Sequence, residues 1–253
     1  MSTEETGRLD RGDGVSLAWA RLPGRGPTVV FLHGFGSDMT GEKAQRLCAW
    51  CQEAGQAFLR LDCSGHGVSD GHFEEGCIGE WAEDARRVIA AETEGPLVLV
   101  GSSMGGWIAL LTALAMPQRV AGLLGLAAAP DFTEDMMWEA LPPHDRQKLM
   151  VEGILRLSGE YGELVITRRL IEDGRTHLVL RGPIALACPV RLIQGQADTT
   201  VPWETALKLA ARLESRDVQV TLVKDGTHRL SRPADLALMC RVLAGLLETG
   251  EAG

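Results

Sequence analysis

The stretch Pro96-Leu-Val-Leu-Val-Gly-Ser-Ser-Met-Gly-Gly-Trp-Ile-Ala-Leu-Leu-Thr-Ala-Leu-Ala115 decides how the rest of the chain is read. Leu97 to Gly101 is a short apolar run that reads as a buried strand, and Met104 to Ala115 is an apolar helix opened by small residues. Between them, Gly101-Ser-Ser-Met-Gly105 fits the pattern G-x-S-x-G. In that motif the serine occupies a strained turn from strand to helix, so its hydroxyl projects above the sheet, and flanking glycines let the backbone pass where a Cβ would clash. The helix behind the turn aims N–H groups at a negative charge developing there. Ser103 is therefore the candidate nucleophile. In a chain with 30 glycines the bare pentapeptide is weak evidence. Its weight comes from the strand before it, the helix after it and Gly106, which lets that helix lie close to the sheet.

Outward from this turn the chain alternates strand and helix. Val15 to Arg21 reads as an outer strand, Thr28 to Leu32 as a buried strand leading into His33-Gly-Phe-Gly36, Glu42 to Ala54 as a helix and Ala57 to Leu61 as a strand. A glycine-punctuated loop, Asp62 to Gly71, precedes a helix from Trp81 to Glu92. Beyond the turn come a strand from Val120 to Ala127, a strand from Pro189 to Gln194, a helix from Ala206 to Leu213, a strand from Val218 to Val223 and a helix from Leu236 to Leu247. Such alternation predicts an α/β fold with a mostly parallel sheet, helices on both faces, and function at the carboxyl ends of the strands. One region breaks the alternation. Residues 131–187 carry Met136, Met137, Trp138, Leu149, Ile154, Leu157, Tyr161 and Ile166, and are read as a helical cap inserted into a single domain spanning 1–253, with Met136 and Trp138 as substrate contacts. Arg168, Arg169, Arg175 and Arg181 add positive charge there, suited either to an anionic substrate group or to a solvated face.

The net charge of −9 argues against a nucleic-acid partner, which requires clustered Lys and Arg facing phosphates. No apolar run reaches membrane-spanning length, and the acidic start, Met1-Ser-Thr-Glu-Glu, lacks the features of a secretory or transit peptide, so a cytoplasmic protein is expected. Cys48-Ala-Trp-Cys51 is formally C-x-x-C, but it falls on the apolar stripe of a helix and has no second ligand pair, so neither zinc nor a redox cofactor is expected.

A serine hydroxyl attacks at neutral pH only with a base in hydrogen-bond reach and a third group that orients the base. Of six histidines, His228, in Asp225-Gly-Thr-His-Arg-Leu230 just after the last strand, fits the chain order serine, acid, histidine. His33 belongs to the H-G turn and His66 to the glycine loop, while His72, His144 and His177 fall in loops or the insertion. Asp198, in Gln196-Ala-Asp-Thr-Thr-Val-Pro202, is the expected acid, and Asp131, after the preceding strand, is its rival. The backbone N–H groups of Met104 and Phe35 are the expected oxyanion donors.

With these residues placed, the chain resembles the α/β-hydrolase superfamily over nearly its whole length, and more narrowly the bacterial relatives of the mitochondrial α/β-hydrolase-domain protein 10, a group of palmitoyl-protein thioesterases and acyl-glucuronide esterases. Val100-Gly-Ser-Ser-Met-Gly-Gly-Trp107, Pro189-Val-Arg-Leu-Ile-Gln-Gly195, Asp198-Thr-Thr-Val-Pro-Trp203 and Asp225-Gly-Thr-His-Arg-Leu230 carry the resemblance. It implies the triad Ser103, Asp198 and His228, no cofactor or metal, and a small-molecule or acylated-protein ester or thioester as substrate. A monoacylglycerol-type lipase, an acyltransferase of the same fold and a non-catalytic binding module are the alternatives. Dehalogenases and epoxide hydrolases of this fold carry an aspartate where Ser103 stands.

Overall fold

A computed structural model describes residues 3–159 and 162–250. Strands β1 (Glu5–Asp10), β2 (Ser16–Leu22), β3 (Arg25–Leu32), β4 (Gln56–Leu61), β5 (Leu97–Ser102), β6 (Val120–Leu126), β9 (Val190–Gly195) and β10 (Val218–Val223) form one sheet in the order β1-β2-β4-β3-β5-β6-β9-β10. The first two strands pair antiparallel, β2 pairs antiparallel with β4, and every neighbour from β4 to β10 is parallel. β5 lies between β3 and β6 and is buried along its whole length.

The period-2 alternation of β5 divides its side chains between two cores. Leu97 and Leu99 face α2 (Ile78–Glu92), α3 (Met104–Ala115) and α6 (Glu204–Arg212), through Trp81, Trp107, Ile108 and Leu209. Val98 and Val100 face α1 (Glu42–Ala54) and α7 (Pro233–Gly250), through Leu47, Cys51, Leu243 and Leu246. Helices thus cover both faces of a parallel sheet, as such sheets require. Cys51 is buried in the second core, and Cys48 is half-buried with its thiol donating to Glu4. Among the described residues no helix is long and apolar enough to cross a membrane.

The insertion is not all helical. It holds a wide π-type turn at Thr133–Trp138, then α4 (Pro143–Glu152), an antiparallel hairpin of β7 (Ile154–Gly159) and β8 (Gly162–Thr167), and α5 (Arg168–Thr176). The hairpin replaces the expected helix because Leu155 and Ile166, paired across it, turn inward with Leu141, Leu149 and Ile171 to form a small core of the cap's own. Tyr161, expected among the cap's apolar residues, lies outside the described residues.

Candidate active site

Ser103 sits at φ 54°, ψ −119°, between the end of β5 and the first residue of α3. A non-glycine residue held there is strained, and the close packing around it explains why the strain persists. A Cβ on Gly101 would lie 2.2 Å from the Gly105 carbonyl oxygen, one on Gly105 would lie 2.1 Å from the Leu32 oxygen, and one on Gly106 would meet the Ala128 Cβ at 2.5 Å. Three glycines therefore let strand and helix close over the turn, while Ser103 N–H donates to Leu126 O at 2.9 Å and Ala129 N–H to Ser103 O at 3.1 Å. The Ser103 side chain is only half-buried.

Across from it runs the loop after β3. A Cβ at Gly34 would stand 3.4 Å from the Ser103 Cβ, so the backbone leading into Phe35 passes directly beside the serine. His33 holds this loop with both ring nitrogens: Nδ1–H donates to Gly34 O at 2.9 Å, and Nε2 accepts the Cys63 N–H at 3.2 Å. Burial pushes the His33 pKa down, so the ring stays neutral, as a ring accepting an N–H must be. The Phe35 ring is wedged edge-on against Phe73, Trp81 and Phe132. Met104 is fully buried at the first position of α3, where a backbone N–H has no acceptor within its own helix. The two expected oxyanion donors thus flank Ser103.

Asp198 and His228 meet on the far side of the site. His228 Nδ1–H donates to Asp198 Oδ2 at 2.9 Å. The loops carrying them are packed backbone to backbone: Ala197 N–H donates to Gly226 O at 2.9 Å, and a Cβ on Gly195 would lie 2.1 Å from that same oxygen. The Asp198 side chain is completely buried. Its Oδ1 accepts the N–H groups of Thr200 and Val201, both at 2.8 Å, and its Oδ2 also accepts Gln194 Nε2–H at 2.9 Å. Burial pushes the carboxyl up, but the bonds from His228, Val201 and Thr200 outweigh it and hold Asp198 below the ordinary carboxylate value. Among the described residues no hydrogen bond joins Ser103 Oγ to the imidazole.

Asp131, the rival acid, is elsewhere engaged. It too is fully buried and at a positive φ of 60°, but its oxygens accept the N–H groups of Val179 at 2.8 Å and Leu180 at 2.9 Å. It ties the returning end of the cap to the end of β6. Burial raises its pKa.

Two contributors escaped sequence reading. Gln194 precedes Gly195 on β9; its stretch, Pro189 to Gly195, is among those that carry the family resemblance, but no role was assigned to its side chain. Lys43, on the first turn of α1, reaches across to donate to the carbonyl of Arg229, next to His228, a contact made across 186 positions of chain.

In the cap, Met136 lines a cavity of about 450 Å³ with Pro130, Leu180 and Pro202, rimmed by Asp135, Arg181 and Lys208. Trp138 lines no part of that cavity. It packs in the cap's own core, with the guanidinium of Arg175 4.5 Å and that of Arg146 5.3 Å from the ring centroid. The arginines of the insertion are occupied: Arg169 by Glu80, Arg175 by Glu134, Arg181 by Asp135, and Arg168 by the Met150 carbonyl. They form a paired, solvated face.

A mostly parallel sheet that carries a strained serine after its central strand and a hydrogen-bonded Asp–His pair after later strands is the arrangement of the α/β hydrolases, and the chain belongs to that family. Residues 25–161 match the family described as serine aminopeptidase, S33. The chain is similar to the mitochondrial palmitoyl-protein thioesterase ABHD10: 37% identical to the Bos taurus protein over 95% of this chain and 79% of the relative, and 36% identical to that of Homo sapiens over the same shares. The structure of ABHD10 from mouse superposes with a TM-score of 0.91 at 36% identity, covering 97% of this chain and 99% of that one. A putative hydrolase from Agrobacterium vitis matches at 0.90 and 37% identity, over 98% and 99%. Est1E from Butyrivibrio proteoclasticus, at 21% identity and a TM-score of 0.76, shares the fold.

Proposed function

We propose that this chain is a serine hydrolase that cleaves acyl thioesters and carboxylic esters through an acyl-enzyme on Ser103. The observation that carries the reading is the 2.9 Å bond from His228 Nδ1 to the buried Asp198 side chain, in a chain whose central strand ends on a serine held at positive φ. With Nδ1–H committed to the carboxylate, Nε2 is left as the basic nitrogen. In the proposed reaction Ser103 Oγ attacks the acyl carbonyl carbon and Nε2 takes its proton. The carbonyl oxygen becomes an oxyanion facing the N–H groups of Phe35 and Met104. Collapse expels the thiolate or alkoxide, which takes the proton back from Nε2, and water repeats the cycle on the acyl group, releasing a carboxylic acid and free Ser103.

Substrate class rests on similarity: relatives at 36–37% identity are named palmitoyl-protein thioesterases. Hydrolysis of S-acyl cysteine peptides, p-nitrophenyl esters of increasing chain length and aminoacyl amides, run side by side, tests this. Expected is turnover of thioesters and esters with a chain-length optimum and no cleavage of amides; amide cleavage outpacing both ester classes contradicts it.

A further inference from the structure

We propose that Gln194 is a positioning residue for the hydrolytic reaction, fixing the plane of the Asp198 carboxylate and tempering its hold on His228. This role rests on Ser103, Asp198 and His228 acting as the proposed triad. Gln194 is completely buried at the end of β9, and its Nε2 donates to Asp198 Oδ2 at 2.9 Å, with Val201 O and Gly195 O at 3.3 and 3.4 Å. Its Oε1 is buried and has no hydrogen-bond partner among the described residues. That orphan shows what the amide is there for: a group that leaves one buried acceptor unsatisfied is held by what its other end does.

The bonds to Asp198 from Gln194, Thr200, Val201 and His228 divide unevenly. Both backbone N–H groups go to Oδ1, and two such bonds to one atom fix its place but leave the carboxylate free to twist about it. Oδ2 is the oxygen that meets His228, and Gln194 is its second donor. With it, all four lone-pair positions of the carboxylate are used and the plane is set. The facing titratable group is His228, and the other contacts to Asp198 come from Thr200 and Val201 N–H groups. Because Gln194 and His228 share one oxygen, the amide draws charge from the atom that stabilises the imidazolium formed in the reaction. Taking the amide away loosens the geometry and strengthens the charge pull together.

The test is Gln194→Met, with Gln194→Leu as a second variant that likewise lacks the donor. Wild type is first treated with a fluorophosphonate; failure to label Ser103 would fault the triad itself, separately from the role of Gln194. In labelling-competent protein, Gln194→Met is expected to lower kcat about tenfold with KM little changed, and to move the acidic limb of the kcat/KM profile upward by about half a unit to one unit. The downfield His228 Nδ1–H proton resonance is expected to move further downfield. A merely structural role for Gln194 shifts neither limb nor resonance. Gln194→Leu, which removes the same donor without adding a charge, moves the limb the same way. It carries the test should the Met variant not fold. A kcat within twofold of wild type with limb and resonance unmoved overturns the proposal.

Discussion

Asp131 and Asp198 stand at the carboxyl ends of adjacent strands, β6 and β9, and both are fully buried and held by pairs of backbone N–H groups, yet they do different work. Asp131 spends one oxygen on each amide, Val179 and Leu180, and so is consumed as a clasp for the cap. Asp198 takes both amides on Oδ1, which leaves Oδ2 for His228. What separates them is the remaining neighbour: Asp198 Oδ2 meets the imidazole of His228, whereas Asp131 Oδ2 lies 3.4 Å from the Arg181 guanidinium, so the first can orient a base and the second ties down the cap. Their ionisation differs accordingly: burial raises Asp131 against the pull of its amides, and the added imidazole bond tips Asp198 the other way.

The largest test of this contrast is Asp198→Asn, expected to lower kcat on the order of a thousandfold or more while the protein stays folded, because an amide holds the imidazole in the wrong tautomer. Steady-state kinetics with circular dichroism checks it. Next in size is Gly195→Ala, whose Cβ would press on the Gly226 oxygen and shift the histidine loop; about a hundredfold loss in kcat is expected for a displacement near 1 Å. Asp131→Asn is expected to keep kcat within a few-fold but lower stability by about 1–3 kcal/mol in urea unfolding, since its NH2 must face an N–H.

The pH dependence of unfolding sharpens the same comparison. Asp198, depressed in the fold, contributes stability that is present above its unfolded pKa and lost as pH falls through the folded value. Asp131, raised in the fold, does the opposite: stability drops as pH rises from its unfolded value through the raised one. The gap between wild type and Asp198→Asn should therefore shrink on acidification, and that between wild type and Asp131→Asn should widen. Smallest is Lys43→Met, expected to reduce kcat a few-fold through loss of its bond to the Arg229 carbonyl.

The strand, turn and helix from Leu97 to Ala115 were legible because each level of the sequence agrees there: an apolar run, glycines where a Cβ would clash, then a second apolar run. Asp198 and His228 were legible from chain order. Strand β1 was not, because Glu-Thr-Gly-Arg-Leu-Asp is a polar edge strand with no buried side chain, formed by pairing with β2 rather than by burial. The hairpin of β7 and β8 was hidden likewise, its apolar residues serving a core local to the cap. The cap arginines could be read either as an anion site or as a solvated face, because the partners of three of them, Glu80, Glu134 and Asp135, are spread over α2 and the π-type turn. Gln194 and Lys43 act through individual side-chain bonds, which leave no periodic trace.

Whether Ser103 is an activated nucleophile is decided most directly by covalent labelling. Purified protein is reacted with a fluorophosphonate, its intact mass is measured and the modified peptide is mapped, with Ser103→Ala and His228→Ala alongside. One adduct is expected, on Ser103, absent from the first variant and strongly slowed in the second. An unlabelled wild type, or an adduct on another residue, would contradict the assignment of Ser103 as the nucleophile.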